Sequence, residues 1–235
     1  VLQARIWQAK VGRVTLLLLD SAIPENSEDL RTVTDRLYGG GGEHRLLQEL
    51  LLGIGGVRAL DVYCHLTGSE KPEVYHTNEG HAAFLGLERI RELIGDGFDF
   101  ESALEIVRAQ SVFTTHTPVP AGIDHFPIDL IEKYFEGDLL PGVDASQVLK
   151  LGAREVGGES ANVEFNMAIL ALRLAQRVNG VSELHGEVSR RMFAACWPGF
   201  DAKEVPISSI TNGVHAPTWT DQSVSILASS SLGAE

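Results

Sequence analysis

Cysteine is scarce in this sequence, with only Cys64 and Cys196 among 235 residues. The two lie far apart and show neither the spacing of a metal-binding pair nor that of a redox pair. They are typical of reduced core residues, which predicts a cytoplasmic protein without a metal site. Long apolar runs are also missing. Leu16–Leu19 and Leu50–Ile54 are much shorter than the roughly 20 residues that a membrane helix needs.

Clusters of basic residues are absent as well. The chain carries 32 acidic and 19 basic residues and a net charge of −13. Over most of its surface such a protein repels nucleic acid and anionic membranes, so neither is expected as a partner. No signal peptide opens the sequence.

Several catalytic motifs are also lacking. No G-x-S-x-G elbow and no phosphate-binding loop occur, which argues against serine hydrolases and P-loop enzymes. His76 and His81 are five positions apart, which does not match the HExxH zinc helix. The glycines at 53, 55 and 56 lack the spacing of a dinucleotide-binding fingerprint.

Strand-like and helical segments alternate along the chain, which predicts an α/β fold with a parallel sheet. The predicted strands are Val1–Val11, Val14–Leu19, Val74–Thr77, Ser111–Thr115 and Ile207–Ile210. The predicted helices begin at Glu43 and otherwise span Gly80–Ile94, Phe100–Gln110, Pro127–Phe135, Asn166–Val178 and Val181–Phe193. Ser21–Asp35 is expected to be a polar loop, and Asp221–Glu235 is expected to fray.

Gly53, Gly55 and Gly56 lie within the helical pattern that begins at Glu43. Each glycine costs about 1 kcal/mol relative to alanine in a helix, so their presence needs a reason. Either a neighbouring backbone or ligand approaches closely, or the helix is broken there.

Polar side chains follow three of the predicted strands. Asn78, His116 and Asn212 each stand just beyond a strand, where ligands bind in open parallel sheets. Each residue also has a structural interpretation. Asn78 could cap a helix, His116 could be a structural hydrogen-bonding residue, and Asn212-Gly213 could simply form a turn. An amide that both donates and accepts is also well suited to sugar hydroxyls.

Five segments, taken in order, resemble the α-glucan phosphorylases, which act on glycogen and maltodextrin, and in particular their bacterial and archaeal branch. These segments are Glu43–Glu49 with Gly53–Arg58, His76–Phe84, Phe113–Asp124, Phe165–Met167 with Val178–Ser189, and Thr211–Trp219. The resemblance implies a GT-B-type N-terminal domain, which is incomplete here. Residues 1–220 would form part of this glucan-binding domain and 221–235 a weakly structured tail, and the C-terminal cofactor domain would be absent. A start inside a strand, without an initiator methionine, also suggests a fragment.

The family's reaction is implied in the same way. Phosphate cleaves the terminal α-1,4-glucosyl unit of a glucan with retention and releases glucose 1-phosphate. The phosphate of pyridoxal 5′-phosphate donates and accepts the proton. The expected partners are therefore an α-1,4-glucan and phosphate or glucose 1-phosphate, and the complete protein would form a homodimer.

The resemblance also assigns roles to residues. His116 matches the catalytic histidine that hydrogen-bonds the reacting glucosyl unit, and Asn212 matches the asparagine that holds the 6-hydroxyl of that sugar. Four further residues are expected to bind substrate. Three match the segment beside the anomeric face, with glutamate where many members have aspartate, and the fourth matches a carboxylate near the acceptor sugars: Asn78, Glu79, His81 and Asp124.

The sequence departs from the family pattern in two ways. None of its lysines lies in a segment like the one that holds the cofactor: Lys10, Lys71, Lys133, Lys150 and Lys203. The family's glycine-rich loop is also missing. We therefore expect this chain alone to lack cofactor binding and turnover. The alternatives are a non-catalytic glucan-binding module, an incomplete product without a function of its own, or another GT-B glycosyltransferase such as a glycogen synthase.

Overall fold

The computed structural model describes residues 2–37, 40–156 and 162–233. Its strands are β1 Arg5–Val11, β2 Val14–Asp20, β3 Tyr75–Asn78, β4 Ser111–Thr115, β5 His125–Pro127, β6 Ala153–Val156, β7 Asn162–Asn166, β8 Arg177–Gly180 and β9 Ile207–Ser209. Its α-helices are α1 Glu28–Arg31, α2 Gly42–Leu50, α3 Gly56–Thr67, α4 Phe84–Gly95, α5 Phe100–Ala109, α6 Ile128–Phe135, α7 Ala145–Gly152, α8 Met167–Arg173, α9 Glu183–Met192, α10 Ala216–Trp219 and α11 Gln222–Leu232.

Four strands form a parallel sheet in the order β3-β4-β8-β9. Thr115 of β4 pairs with Gly180 of β8, which pairs in turn with Ser209 of β9, so these three strands end level with one another. Helices connect and flank the strands, as crossovers between parallel strands require. The predicted α/β class with a parallel sheet is confirmed.

The main core lies between this sheet, its helices and a smaller antiparallel sheet of order β5-β7-β6. Phe84 of α4 stacks on Phe165 of β7 with ring centroids 6.1 Å apart, and both rings are fully buried. Every residue of α8 except Arg173 is also buried. Fully apolar helices of this kind are covered on all sides, which makes α8 the central helix of the core.

One helix runs through α2, a π-helical turn at Leu51–Gly55, and α3. A Cβ atom on Gly53 would lie 2.7 Å from the backbone nitrogen of Leu85 and 2.7 Å from the Cβ atom of Phe84. Close approach of a neighbouring backbone is therefore the reason for Gly53, where α4 packs against the helix. The helix is not broken at these glycines, although its hydrogen bonds change to the π pattern at Leu51–Gly55.

By length and composition alone, the continuous helix Gly42–Thr67 could cross a membrane. Core helices of soluble proteins meet the same criteria. Leu46, Ile54 and Val57 of this helix are buried within the fold. Length and composition are thus weak evidence for a membrane span here.

Two sequence-based predictions were wrong in part. Ser21–Asp35 contains α1 and a 3-10 turn at Thr32–Thr34, because Val33 is buried and the Ser21 and Thr34 side chains hydrogen-bond to each other at 2.9 Å. The helix predicted over Asn166–Val178 ends at Arg173, and Val178 belongs to β8. Pairing with β4 and β9 on both sides overrides the local helical preference of that segment.

The terminal helix α11 has no buried residue. Its sequence was expected to fray, and a helix without tertiary packing is marginal in water. Fraying remains a prediction, and positions 234 and 235 lie outside the described residues, as does Val1.

Candidate functional site at the carboxyl edge of the parallel sheet

The carboxyl ends of the parallel strands bring the three strand-end residues to one edge. Asn78 ends β3, His116 follows β4, and Asn212 lies three residues past the end of β9. Neighbouring strands are about 4.8 Å apart, so the ends of β4 and β9 are separated by roughly 10 Å, with β8 between them. The Asn212 backbone nitrogen donates to the Val181 carbonyl at 3.1 Å, which ties its loop to the end of β8. All three side chains are exposed at this edge.

His116 and Asn78 form a direct pair. The Nε2 atom of His116 lies 2.7 Å from the Oδ1 atom of Asn78. An amide oxygen only accepts, so Nε2 carries a proton and donates in this pair, and in the neutral ring Nδ1 is then an acceptor. The pair thus fixes both the ring orientation and the tautomer of His116.

Glu79 has an unusual backbone. Among the described residues it is the only non-glycine residue with a positive φ, with φ 80° and ψ 160°. A side chain in this region costs about 1–3 kcal/mol, and such outliers concentrate at functional sites.

The Glu79 carboxylate accepts hydrogen bonds from the loop after β4. Its Oε2 atom accepts from the backbone nitrogen of His116 at 2.8 Å and from that of Thr117 at 3.0 Å. The Thr117 hydroxyl donates to the same oxygen at 2.9 Å, and the Gly80 backbone nitrogen donates to Oε1 at 2.9 Å. The glutamate expected to contact substrate is thus occupied by donors of the chain itself.

Asp124 ends the same loop and faces a helix. Arg45 of α2 donates from Nη2 to Oδ2 at 3.0 Å and from Nε to Oδ1 at 3.3 Å. Burial would raise the pKa of Asp124, but hydrogen bonds from Arg45 and Glu49 outweigh it and hold that pKa below its usual value. The carboxylate predicted to lie near acceptor sugars is therefore engaged with Arg45.

Glu49 lies beneath this ion pair and is almost fully buried. Burial, together with the charge of Asp124, raises the pKa of Glu49 to about 9. Glu49 is therefore protonated at neutral pH. The Nε atom of Arg45 lies 3.1 Å from Oε1 of Glu49, so Arg45 contacts both acidic side chains.

His81 lies in the short 3-10 turn Gly80–Ala82 that precedes α4, close to Arg45, Glu79 and Asp124. Its pKa is lowered by burial first and by the positive charge of Arg45 second, while Glu79 and Asp124 oppose the shift. The ring is consequently neutral near pH 7. Glu79, His81, Thr117 and Asp124 help to line a void of about 10 Å³, which holds at most one water molecule. These four residues support the site from below, and its open face is at Asn78, His116 and Asn212.

Reasoning from sequence missed Thr117, Arg45 and Glu49 as parts of the site. Arg45 and Glu49 are four positions apart, so a possible pair on one helix face was visible in the sequence. Their meeting with Asp124 was not visible, since it joins residues 79 positions apart.

The described residues contain no group of three or more potential metal-ligating side chains. None of the five lysines lies in a segment that follows a strand of the parallel sheet. Lys71 and Lys133 instead form ion pairs with acidic side chains on the surface. The chain therefore presents no lysine to a cofactor at this edge.

Comparison with known proteins agrees with this architecture. The family profile described as carbohydrate phosphorylase matches residues 40–232. The chain is 61% identical over 227 residues to a glycogen phosphorylase of Mycobacterium tuberculosis, an alignment that covers 93% of this chain and 26% of the relative. It is 42% identical over 233 residues to a maltodextrin phosphorylase of Thermococcus litoralis, covering 99% of this chain and 26% of the relative. A glycogen phosphorylase of Aquifex aeolicus is 38% identical over 216 residues, covering 91% of this chain and 30% of the relative.

The chain thus spans between a quarter and a third of the length of these relatives. The profile covers most of the chain, and it includes the whole carboxyl edge of the parallel sheet. On this evidence the chain belongs to the carbohydrate phosphorylase family.

Proposed function

We propose that this chain forms the glucosyl-binding side of the cleft of an α-1,4-glucan phosphorylase. The complete protein, of GT-B architecture, uses phosphate to release glucose 1-phosphate from glycogen or maltodextrin. It acts in the cytoplasm as a homodimer. The proposal rests on one observation. Asn78, His116 and Asn212 lie at the same edge of a parallel sheet in a chain of this family.

The proposed roles follow from the chemistry of these side chains. His116 is held by Asn78 through Nε2, so its Nδ1 atom accepts a hydrogen bond from a sugar hydroxyl. The Asn212 amide both donates and accepts, and it holds the 6-hydroxyl from the loop after β9, which is separated from β4 by β8. A glucosyl unit fixed at both points stays in place while positive charge develops at its anomeric carbon.

The cofactor of the proposed reaction does not fit the residues of this chain. Pyridoxal phosphate is attached through a lysine, and no lysine follows a strand of the parallel sheet here. We therefore assign its binding to a part of the complete protein outside this chain. Its contribution there is proton transfer to and from the substrate phosphate.

Phosphorolysis tests the proposal directly. Release of glucose 1-phosphate from maltodextrin, with phosphate and pyridoxal phosphate, is measured for this chain and for the complete protein that contains it. We expect activity in the complete protein and none in this chain alone. Turnover by the chain alone would contradict the assignment of the cofactor to another part.

Two histidine-to-alanine variants, one at the site and one away from it, test the role of His116. His116→Ala in the complete protein is expected to lower kcat/KM by about 100-fold or more, since it removes a contact made to the reacting sugar. His65→Ala, at an exposed position of α3, is expected to leave kcat/KM unchanged. Glucan binding without any phosphorolysis would favour the binding-module alternative, and transfer from a nucleotide sugar would favour a synthase.

A further inference from the structure

The loop after β4 is anchored at its first two residues by a single side chain. One carboxylate oxygen of Glu79 accepts three hydrogen bonds. The donors are the backbone N–H groups of His116 and Thr117 and the Thr117 hydroxyl. Its other oxygen receives the Gly80 N–H. The side chain reaches from the end of β3 to the end of β4 and connects the two strand ends.

We propose that Glu79 is a positioning residue that sets the orientation of His116, and that it does not contact the sugar. The contact of His116 with a sugar rests on the proposed function. The hydrogen bonds from His116 and Thr117 to Glu79, here called the clamp, do not rest on it. Asn78 and Glu79 are adjacent, so one end of β3 holds both the ring and the backbone of His116. Asn78 thus restrains rotation of the ring, and Glu79 restrains the position of the backbone that carries it.

Substrate binding by Glu79 is disfavoured by its acceptor count. Each carboxylate oxygen offers about two lone-pair sites. Three donors of the chain already converge on Oε2, and Oε1 accepts from the Gly80 nitrogen. A sugar hydroxyl at Oε2 would have to displace a charge-assisted hydrogen bond that orders the loop.

The strained backbone of Glu79 has a reason in this arrangement. Gly80 packs against the start of α8, where a Cβ atom on it would lie 3.0 Å from the Ala168 nitrogen. The backbone at Gly80 is thus closely packed, and the positive φ at Glu79 accompanies a side chain that reaches the loop after β4. Aspartate would be shorter by one carbon–carbon bond, about 1.5 Å, and could not reach both sets of donors.

Hydrogen–deuterium exchange in the complete protein tests the clamp without requiring turnover. In Glu79→Gln, the peptide covering His116 and Thr117 is expected to exchange about 10-fold faster or more, because a neutral amide replaces the charged acceptor. Glu187→Gln, an exposed glutamate on α9, is the matched control and should leave this peptide unchanged. Unchanged exchange in Glu79→Gln overturns the proposal.

Steady-state phosphorolysis supplies a second readout that a purely structural role would not move. We expect Glu79→Gln to lower kcat by about 100-fold with KM for glucan and phosphate within about 3-fold, as misplacement by about 1 Å can do. A higher KM with unchanged kcat would mean that Glu79 binds substrate and would overturn the proposal. If the complete wild-type protein does not release glucose 1-phosphate, the proposed function fails and the exchange result alone decides on the clamp.

Two further variants keep the test decisive if Glu79→Gln does not fold. Glu79→Asp retains the charge at a shorter reach, so its exchange rate and kcat should lie between those of the wild type and the glutamine variant. Glu79→Gly accepts the positive φ without strain but removes the carboxylate. Wild-type protection and kcat in Glu79→Gly would show that the carboxylate is dispensable, and the proposal would then be wrong.

Discussion

Arg45 and Asp124 form a two-point ion pair that joins α2 to the end of the loop carrying His116. The fork of the guanidinium matches the two carboxylate oxygens, which fixes the angle as well as the distance of the contact. Glu79 holds the same loop at its beginning. The loop is therefore anchored at both ends by charged groups beneath the exposed edge of the sheet.

Asp124→Asn should destabilise the protein, because it removes the two-point ion pair with Arg45, whose side chain is only 12% exposed. With Asp124 partly exposed, we expect a loss of about 1–3 kcal/mol in the free energy of unfolding. Urea unfolding measures this, with the exposed Asp96→Asn as the control. An unfolding midpoint equal to that of the wild type would show that the ion pair contributes little.

Glu49 should give stability a distinct pH dependence. Its folded pKa of about 9 exceeds the ordinary value of 4.5, so between these values the folded chain keeps a proton that the unfolded chain has lost. Stability therefore falls as pH rises through this window, by up to about 1.4 kcal/mol per pH unit. His81 has a lowered pKa and acts in the opposite direction at acidic pH, so the range from pH 7 to 9 isolates Glu49.

Glu49→Gln is the variant that tests this slope. Its amide is neutral and close in size to the protonated acid, but it does not titrate. We expect urea unfolding between pH 7 and 9 to show a flatter dependence for Glu49→Gln than for the wild type. If the free energy of unfolding changed with pH equally in the two proteins, Glu49 would not hold a proton in this range.

Gly53→Ala should destabilise the fold. The added methyl group would meet the backbone of Leu85 and the side chain of Phe84 at 2.7 Å, and overpacking of this kind costs about 1–3 kcal/mol. Gly56→Ala is the matched control in the same helix, because no atom lies within 4 Å of its added Cβ. We expect this control to stabilise the protein by about 0.5–1 kcal/mol, through the helix preference for alanine. Thermal unfolding of the two variants should shift in opposite directions.

Asn212→Ala tests the role proposed for the β9 strand end. In the complete protein, loss of a hydrogen bond to the 6-hydroxyl should lower kcat/KM by about 10- to 100-fold. A substrate whose terminal unit lacks the 6-hydroxyl should be affected much less by the same substitution. An equal loss with both substrates would mean that Asn212 does not hold this hydroxyl.

Much of the architecture could be predicted from local patterns. The strand Val14–Leu19, the helix boundaries near Phe100 and Ile128, and the strand Ser111–Thr115 agree with the predictions, since each has strong periodicity or clear ends. Strand β8 was missed because its preference is weak and its pairing partners are distant. The small antiparallel sheet was missed for the same reason, as its register depends on contacts that no local window contains.

The sequence by itself determined the α/β class and the positions of Asn78, His116 and Asn212 beyond strand ends, because residue periodicity and turn residues are local properties of the chain. Only the tertiary structure decided that Glu79 binds the loop of His116, that Asp124 faces Arg45, and that burial raises the pKa of Glu49. Those outcomes depend on which side chains meet and how much water is removed between them. Both quantities arise from contacts between distant parts of the chain.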